Sequence, residues 1–245
     1  MALKKEKVEE LIVEPVIVEK KADSIDFFTK YGKPFLIGVV AGIALFGAWY
    51  GYKKIVKEPN EIKAEEAIFP AENLFDKMAT AGFNKDSSTI LLNSGTVGAT
   101  NVKGLLKIAS EYSGTTAANR ANYMIGATYL QTKEFDKAIK FLNNFTANGA
   151  YQTEIKKNIM LGHAYAELKK TEEAFSAYKK AASINTKDEA FTSDALNTAA
   201  AYAESLGKTK DAIELYQELK EKYPTTQAVQ SGDVDKSLAK LGITK

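Results

Sequence analysis

The sequence predicts an all-α protein, with a single N-terminal transmembrane helix followed by a solenoid of helical hairpins. Two observations lead to this prediction. Residues 34–52 form an apolar stretch without a charged residue, which is long enough to cross a lipid bilayer as a helix. Farther along the chain, small and aromatic residues recur at intervals of 36 or 37 residues. Such a period is typical of stacked pairs of helices.

The apolar stretch has the length and the flanks of a membrane span. Its nineteen residues, at about 1.5 Å each, extend over about 28 Å, close to the thickness of the hydrocarbon core. Lysines lie on both sides of it, and Trp49, Tyr50 and Tyr52 lie at its C-terminal end, where aromatic residues favour the interface. A buried helix of a soluble core rarely lacks a polar face over this length, and a cleaved signal peptide would begin earlier and end in small residues. We therefore predict an uncleaved anchor in the lipid bilayer.

The charges around the span leave its orientation open. Lys20, Lys21, Lys30 and Lys33 precede it, whereas Lys53, Lys54, Lys57 and Lys63 follow it, so the excess of positive charge that marks the cytoplasmic side is nearly balanced. Residues 1–33 contain seven lysines and seven acidic residues. This segment has too little apolar surface to fold alone, and we predict a mostly disordered tail.

Two pairs of glycines in the span are spaced for close packing of membrane helices. Gly38 pairs with Gly42, and Gly47 pairs with Gly51; glycines four residues apart allow a second helix to approach closely. Glycine is also common in membrane helices without this role. The sequence therefore predicts a helix-packing surface here and leaves the simpler interpretation open.

Three units with the same pattern follow, at residues 121–145, 157–181 and 195–224. In each unit a small residue on the first helix faces a small residue on the second, so that two antiparallel helices can approach, and aromatic residues fill the wider gaps. The corresponding positions are Gly126, Gly162 and Ala199, then Tyr129, Tyr165 and Tyr202, then Ala138, Ala174 and Ala212, and finally Leu142, Tyr178 and Tyr216. Gly207 is interpreted as one added residue in the third turn.

The segments on either side of the repeats are predicted to extend the solenoid. Residues 53–118 form a linker and a degenerate first hairpin, with helices at 60–82 and 101–112 separated by a loop at 84–100, which is rich in Gly, Ser, Thr and Asn. Residues 226–245 form a C-terminal capping helix, begun by Asp233, and a tail. A terminal repeat needs such a cover because it would otherwise expose its apolar side.

The composition and the motifs argue against an enzyme. Lys and Arg number 33 against 31 for Asp and Glu, and no basic run exceeds two residues, so we expect no nucleic-acid partner. The absence of cysteine excludes disulfides, thiol catalysis and cysteine zinc sites. His163 is the only histidine and lacks a second ligand for a metal. No phosphate loop or nucleophile elbow occurs. We predict no catalytic, cofactor or metal site.

The three units resemble the tetratricopeptide repeat (TPR) family over residues 119–225. The consensus places Gly or Ala, Tyr, Ala, and Phe or Tyr at this spacing; the early Trp of the family is absent here. The resemblance implies that the first helix of each repeat presents a protein-binding groove. Its residues would be Arg120, Tyr123, Leu130, Gln131, Lys156, Ile159, His163, Glu167, Leu196 and Glu204. Tyr123, Ile159 and Leu196 stand where some members hold a partner's terminal carboxylate with a cation. The same residues could alternatively only pack the repeats.

The whole arrangement of tail, anchor and C-terminal repeats resembles the YfgM-like accessory subunits of the bacterial Sec translocon. This resemblance implies an inner-membrane protein with a cytoplasmic N-terminus and periplasmic repeats. It also implies two partners, the SecYEG translocon and a membrane-anchored periplasmic chaperone of the prolyl-isomerase type. The function expected from it is a non-enzymatic adaptor that links protein export to periplasmic chaperones. The alternative is a scaffold for cell-envelope assembly or cell division, because that function uses the same repeats.

Overall fold

A computed structural model describes residues 22–243, with side chains from residue 30 onward. Within these residues the chain forms twelve α-helices, one π-helical turn and one short β-hairpin. The prediction of an all-α fold with helical-hairpin repeats is therefore confirmed. The helices are α1 (Ala22–Tyr52), α2 (Glu58–Ala81), α3 (Lys85–Asn93), α4 (Leu105–Glu111), α5 (Thr116–Gln131), α6 (Phe135–Asn144), α7 (Tyr151–Glu167), α8 (Thr171–Ser183), α9 (Glu189–Ser205), α10 (Thr209–Lys222), α11 (Gln227–Gln230) and α12 (Asp233–Lys240). The π-helical turn is Lys53–Lys57, and the strands are β1 (Gly95–Val97) and β2 (Thr100–Val102).

The chain divides into two compact units between Val56 and Lys57. In the first unit, α1 contains the predicted span and begins at Ala22, before residue 34. Its most apolar 18-residue window has a mean hydropathy of 1.7, and none of this window is buried. Its length and composition thus suit a membrane span. In water, an apolar helix would need to bury at least one face. The disorder predicted for the tail lies outside the described residues as far as residue 21, whereas residues 22–33 are helical.

The second unit is built mainly from three antiparallel hairpins, α5 with α6, α7 with α8, and α9 with α10. A three-residue turn joins the two helices of each hairpin. Its central residue has a positive φ, 62° at Lys133, 57° at Lys169 and 69° at Gly207. The third turn is therefore no longer than the others, and the interpretation of Gly207 as an added residue is wrong. Counted from the central residue of the turn, Ala200 rather than Ala199 corresponds to Gly126 and Gly162.

The segment before the repeats differs from the prediction. The predicted loop 84–100 contains α3 and strand β1, and the helix predicted to begin at residue 101 begins at Leu105, after strand β2. The Asn84 side chain caps α3 by accepting a hydrogen bond from the backbone N–H of Ser87. Leu91 and Val102 are buried in one cluster with residues of α2 and α5. This hydrophobic burial orders a segment whose polar composition indicated a loop.

The C-terminal segment packs on the last repeat. Val234 and Leu238 of α12 are buried in the cluster formed by α8, α9 and α10. Asp233 is not the capping residue, because Gly232, with φ 74°, occupies the N-cap position. The Asp233 carboxylate instead accepts hydrogen bonds from Ser231 and Lys236.

Candidate functional site

The first helices of successive hairpins, α2, α5, α7 and α9, are neighbours in the second unit. The predicted groove residues on α5 and α7 are partly or fully accessible. Arg120, Tyr123, Leu130 and Ile159 are half-buried, whereas Gln131, Lys156, His163 and Glu167 are exposed. Leu130 and Ile159 also pack against the buried clusters, so both residues support the fold as well as the surface.

The prediction fails at Leu196 in the third repeat. Leu196 is 2% exposed and belongs to the buried core. The alignment predicted for the third repeat is off by one position. Each turn closes with a backbone hydrogen bond to a residue five positions earlier. That residue is Tyr129 in the first turn and Tyr165 in the second, but Ala203 in the third.

Counted from the turn, Asn197 is the counterpart of Tyr123 and Ile159, and Asp194 is the counterpart of Lys156. Asn197 is half-buried and Asp194 is exposed, as their counterparts on α7 are. The predicted groove residue Glu204 is half-buried and accepts a hydrogen bond from the Tyr216 hydroxyl at 3.0 Å, so its carboxylate joins α9 to α10. The third repeat therefore presents Asp194 and Asn197 rather than Leu196.

Arg120 is the only arginine in the chain, and its guanidinium joins α5 to α2. It donates two hydrogen bonds to Glu65, at 2.9 and 2.6 Å, and one to Glu72 at 2.7 Å. These hydrogen bonds raise the pKa of Arg120 and lower the pKa of Glu65. Glu61 strengthens the same junction by accepting a hydrogen bond from the backbone N–H of Thr116. The guanidinium is thus already satisfied by carboxylates of the chain itself.

An apolar pocket lies beside this ion-pair network. It has a volume of about 440 Å³ and is enclosed by α2, α5, the α6–α7 connection and the start of α7. The residues that line it include Phe75 and Asp76 of α2, Arg120, Tyr123 and Met124 of α5, Phe145 and Ala147 of the connection, and Thr153 of α7. Its position is within the second unit, where the predicted groove begins.

Hydrogen bonds hold the α6–α7 connection that forms one wall of the pocket. The Asn119 amide donates to the carbonyl of Thr146 at 2.8 Å and accepts from the N–H of Thr146 at 2.9 Å. The Phe145 ring then packs on the Tyr123 ring, with centroids 5.2 Å apart, and burial raises the pKa of Tyr123. Arg120 and Tyr123 were predicted from the sequence, whereas Asp76, Met124 and Phe145 were not, because the proximity of these residues depends on how the α6–α7 connection folds back.

His163 forms a second cluster, with aromatic residues of the next helices. Its Nδ1 is 2.8 Å from the Tyr178 hydroxyl, and the Tyr178 and Tyr202 rings are 5.0 Å apart. Burial of one side of the imidazole lowers the pKa of His163, while the carboxylates of Asp194 and Glu167 oppose this shift. Burial also raises the pKa of Tyr178. Among the residues that the structure describes, no group of three His, Asp or Glu side chains is arranged to hold a metal.

The glycine pairs of α1 remain a prediction. A Cβ atom at Gly38, Gly42, Gly47 or Gly51 would have no heavy atom within 4 Å. Each of these positions therefore has space beside it for another helix, and none is filled by the described part of the chain.

Comparison with protein families identifies the class of repeat in the second unit. Tetratricopeptide repeat models match residues 120–146, 158–188 and 195–226, which are the three hairpins described above. No curated protein and no solved structure matches the chain significantly. The chain therefore contains tetratricopeptide repeats, which form a scaffold for protein–protein interaction.

Proposed function

We propose that this protein is a non-enzymatic, membrane-anchored adaptor that links protein export at the SecYEG translocon to periplasmic chaperones. The observation that supports the proposal is the joint occurrence of three tetratricopeptide repeats and an apolar helix with no buried face. The repeats supply a surface for protein partners, and the helix would hold that surface at the bilayer. The chaperone partner would be membrane-anchored, periplasmic and of the prolyl-isomerase type.

The translocon assignment is tested by capturing the full-length protein from membranes after chemical crosslinking. Mass spectrometry is expected to recover SecYEG subunits and a periplasmic chaperone. A matched control lacks residues 34–52 and should lose the translocon while it retains any soluble partner. Recovery of cell-wall or division proteins in place of Sec components would instead support a scaffold for envelope assembly or cell division.

The proposed orientation is an inner-membrane protein with a cytoplasmic N-terminus and periplasmic repeats. Because the native chain has no cysteine, a single introduced cysteine reports its own location. Lys187 is exposed between α8 and α9, and Lys187→Cys should react with an impermeant thiol reagent on intact spheroplasts. Lys5→Cys is the matched control and should react only after lysis. The opposite labelling pattern would reverse the orientation.

A further inference from the structure

The pocket between α2, α5 and the α6–α7 connection is suited to a side chain of a partner. Its volume of about 440 Å³ is within the range of roughly 300–1,000 Å³ for binding pockets. The rings of Phe75, Tyr123 and Phe145, together with Met124, contribute large apolar side chains to its lining. Aromatic residues and methionine are enriched at the centres of protein interfaces, where one large apolar side chain often anchors the partner.

The charges at the rim of the pocket are acidic. Among the residues whose side chains are described, Arg120 is the one cation that lines it, and Glu65 and Glu72 already bind its guanidinium. Asp76 also lines the pocket, and among the residues whose side chains are described its carboxylate has no hydrogen-bond or ion-pair partner. Two carboxylates thus pair with the one guanidinium, and Asp76 adds a further negative charge. The rim should attract a cationic group and repel a carboxylate, since electrostatic complementarity steers partner choice.

One polar group inside the pocket is available to a ligand. The Tyr123 ring packs on Phe145, but the Tyr123 hydroxyl has no hydrogen-bond partner within the described part of the chain. A backbone carbonyl or N–H of a bound peptide could supply one here.

We infer that this pocket binds an extended peptide segment of a partner, in which a large apolar side chain is adjacent to a lysine or arginine. The apolar side chain enters between Phe75, Tyr123 and Phe145, and the cation pairs with Asp76. Because Arg120 is occupied, the pocket does not hold a terminal carboxylate. This inference rests on the proposed adaptor function and specifies the chemistry of one of its partners.

The test uses the full-length protein in lipid nanodiscs and three fluorescently labelled, end-capped peptides. Their central residues are Phe-Lys, Phe-Glu and Ser-Lys in an otherwise identical context, and binding is followed by fluorescence anisotropy. We expect the Phe-Lys peptide to bind about tenfold more tightly than either of the others. Equal affinity for the three peptides, or no binding of the Phe-Lys peptide, would overturn the inference.

Two variants locate the binding site. Asp76→Lys should weaken binding of the Phe-Lys peptide about tenfold and should not weaken binding of the Phe-Glu peptide. Glu66→Lys is the matched control, because Glu66 is exposed on the same helix and does not line the pocket. Ala147→Trp should fill the pocket and weaken both Phe-containing peptides. Unchanged binding by Asp76→Lys contradicts the inference even if Ala147→Trp fails to fold.

The outcome is separable from that of the proposed function. If crosslinking recovers Sec components and a chaperone while the Phe-Lys peptide shows no preference, only the inference about the pocket is wrong. If the peptide binds as expected and no Sec component is recovered, the inference about the pocket stands and the translocon assignment is wrong.

Discussion

The first hairpin and the repeats both place a glycine where no side chain fits, but what the glycine touches differs. Gly104, before α4, lies against backbone: a Cβ there would be 2.5 Å from the carbonyl carbon of Asn93 and from the nitrogen of Ser94. Gly126 and Gly162, in the repeats, lie against the side chains of Leu142 and Tyr178. Side chains can rotate, whereas a backbone held by its own hydrogen bonds moves only with its element. The first hairpin should therefore tolerate substitution of its glycine less well than the repeats do.

The largest effect is expected for Gly104→Ala. The backbone at Gly104 has φ −63° and ψ 141°, which alanine adopts without strain, so the cost arises only from the close approach. Since the obstructing atoms are backbone, we expect a loss in the free energy of unfolding of about 3 kcal/mol, the upper end for overpacking. Chemical unfolding followed by circular dichroism measures it. Ser110→Ala, an exposed position on α4, is the control, and a loss no larger than the control's would refute the contrast.

A smaller loss is expected for Gly162→Ala. The new Cβ would overlap the Tyr178 ring, which must turn and lose its hydrogen bond to His163. Overpacking costs about 1–3 kcal/mol, and the better helix propensity of alanine recovers up to about 1 kcal/mol. We therefore expect a net loss of about 1–2 kcal/mol in chemical unfolding. Ser176→Ala on the second helix of the same hairpin is the control. If Gly162→Ala destabilises more than Gly104→Ala, the proposed difference between side-chain and backbone contacts is wrong.

The two regions also differ in how their first helices are joined. In the repeats, α7 and α9 meet mainly through buried apolar residues, whereas Arg120 supplies an ion-pair junction between α2 and α5. Arg120→Lys keeps the charge but loses the forked geometry that binds two carboxylates. Because these side chains are about a third to a half exposed, solvent screens the pairs, and we expect a loss of about 0.5–1 kcal/mol.

Hydrogen exchange distinguishes a local effect of Arg120→Lys from a general one. Exchange should accelerate in α2 and remain unchanged in α8–α10, and the difference should shrink at high salt. Lys210→Ala, at a side chain that is 91% exposed, should change neither region. Faster exchange throughout the repeats would show that α2 and the repeats unfold as one cooperative unit.

The sequence predicted the regular hairpins because close packing restricts residue size at the helix crossings. Gly126 and Gly162 have no substitute that fits their contacts, so the pattern stands out. The register of the third repeat could not be predicted in this way. Residues 199–201 are three consecutive alanines, and any of them satisfies a rule based on small size. The turn at Gly207 and the burial of Leu196 determine which alanine corresponds to Gly126 and Gly162. Both are properties of the folded chain.

The first hairpin and the pocket were harder to predict for a related reason. Gly104 resembles any loop glycine in sequence, and its necessity arises from backbone that precedes it by about ten residues. The Asn119 side chain fixes Thr146 and so brings Phe145 onto Tyr123. These contacts join residues that follow no common period. Sequence periodicity therefore identified the faces of the helices but not the pocket between them.

The smallest effect is expected for His163, a titratable residue of the second repeat. Its pKa is lowered in the folded state because burial against Tyr178 disfavours the imidazolium, despite Asp194 and Glu167. The unfolded chain then binds the proton more readily, so the stabilisation is fully present above the ordinary histidine pKa of about 6.5. It is lost as the pH falls through that value toward the lower folded pKa. His163 is exposed on one side, which limits the effect to about 0.5 kcal/mol.

A comparison of His163→Gln with the native protein isolates this contribution. Between about pH 7.5 and about pH 5 the native protein should lose more stability than the variant. Carboxyl groups with a lowered pKa, such as Glu65, lose their contribution mainly at lower pH and equally in both proteins. Tyr178→Phe removes the hydroxyl that contacts Nδ1 and tests whether the hydrogen bond or burial sets the shift. If burial dominates, the imidazole of Tyr178→Phe should keep a lowered pKa when its titration is followed by NMR. A return to about 6.5 would assign the shift to the hydroxyl instead.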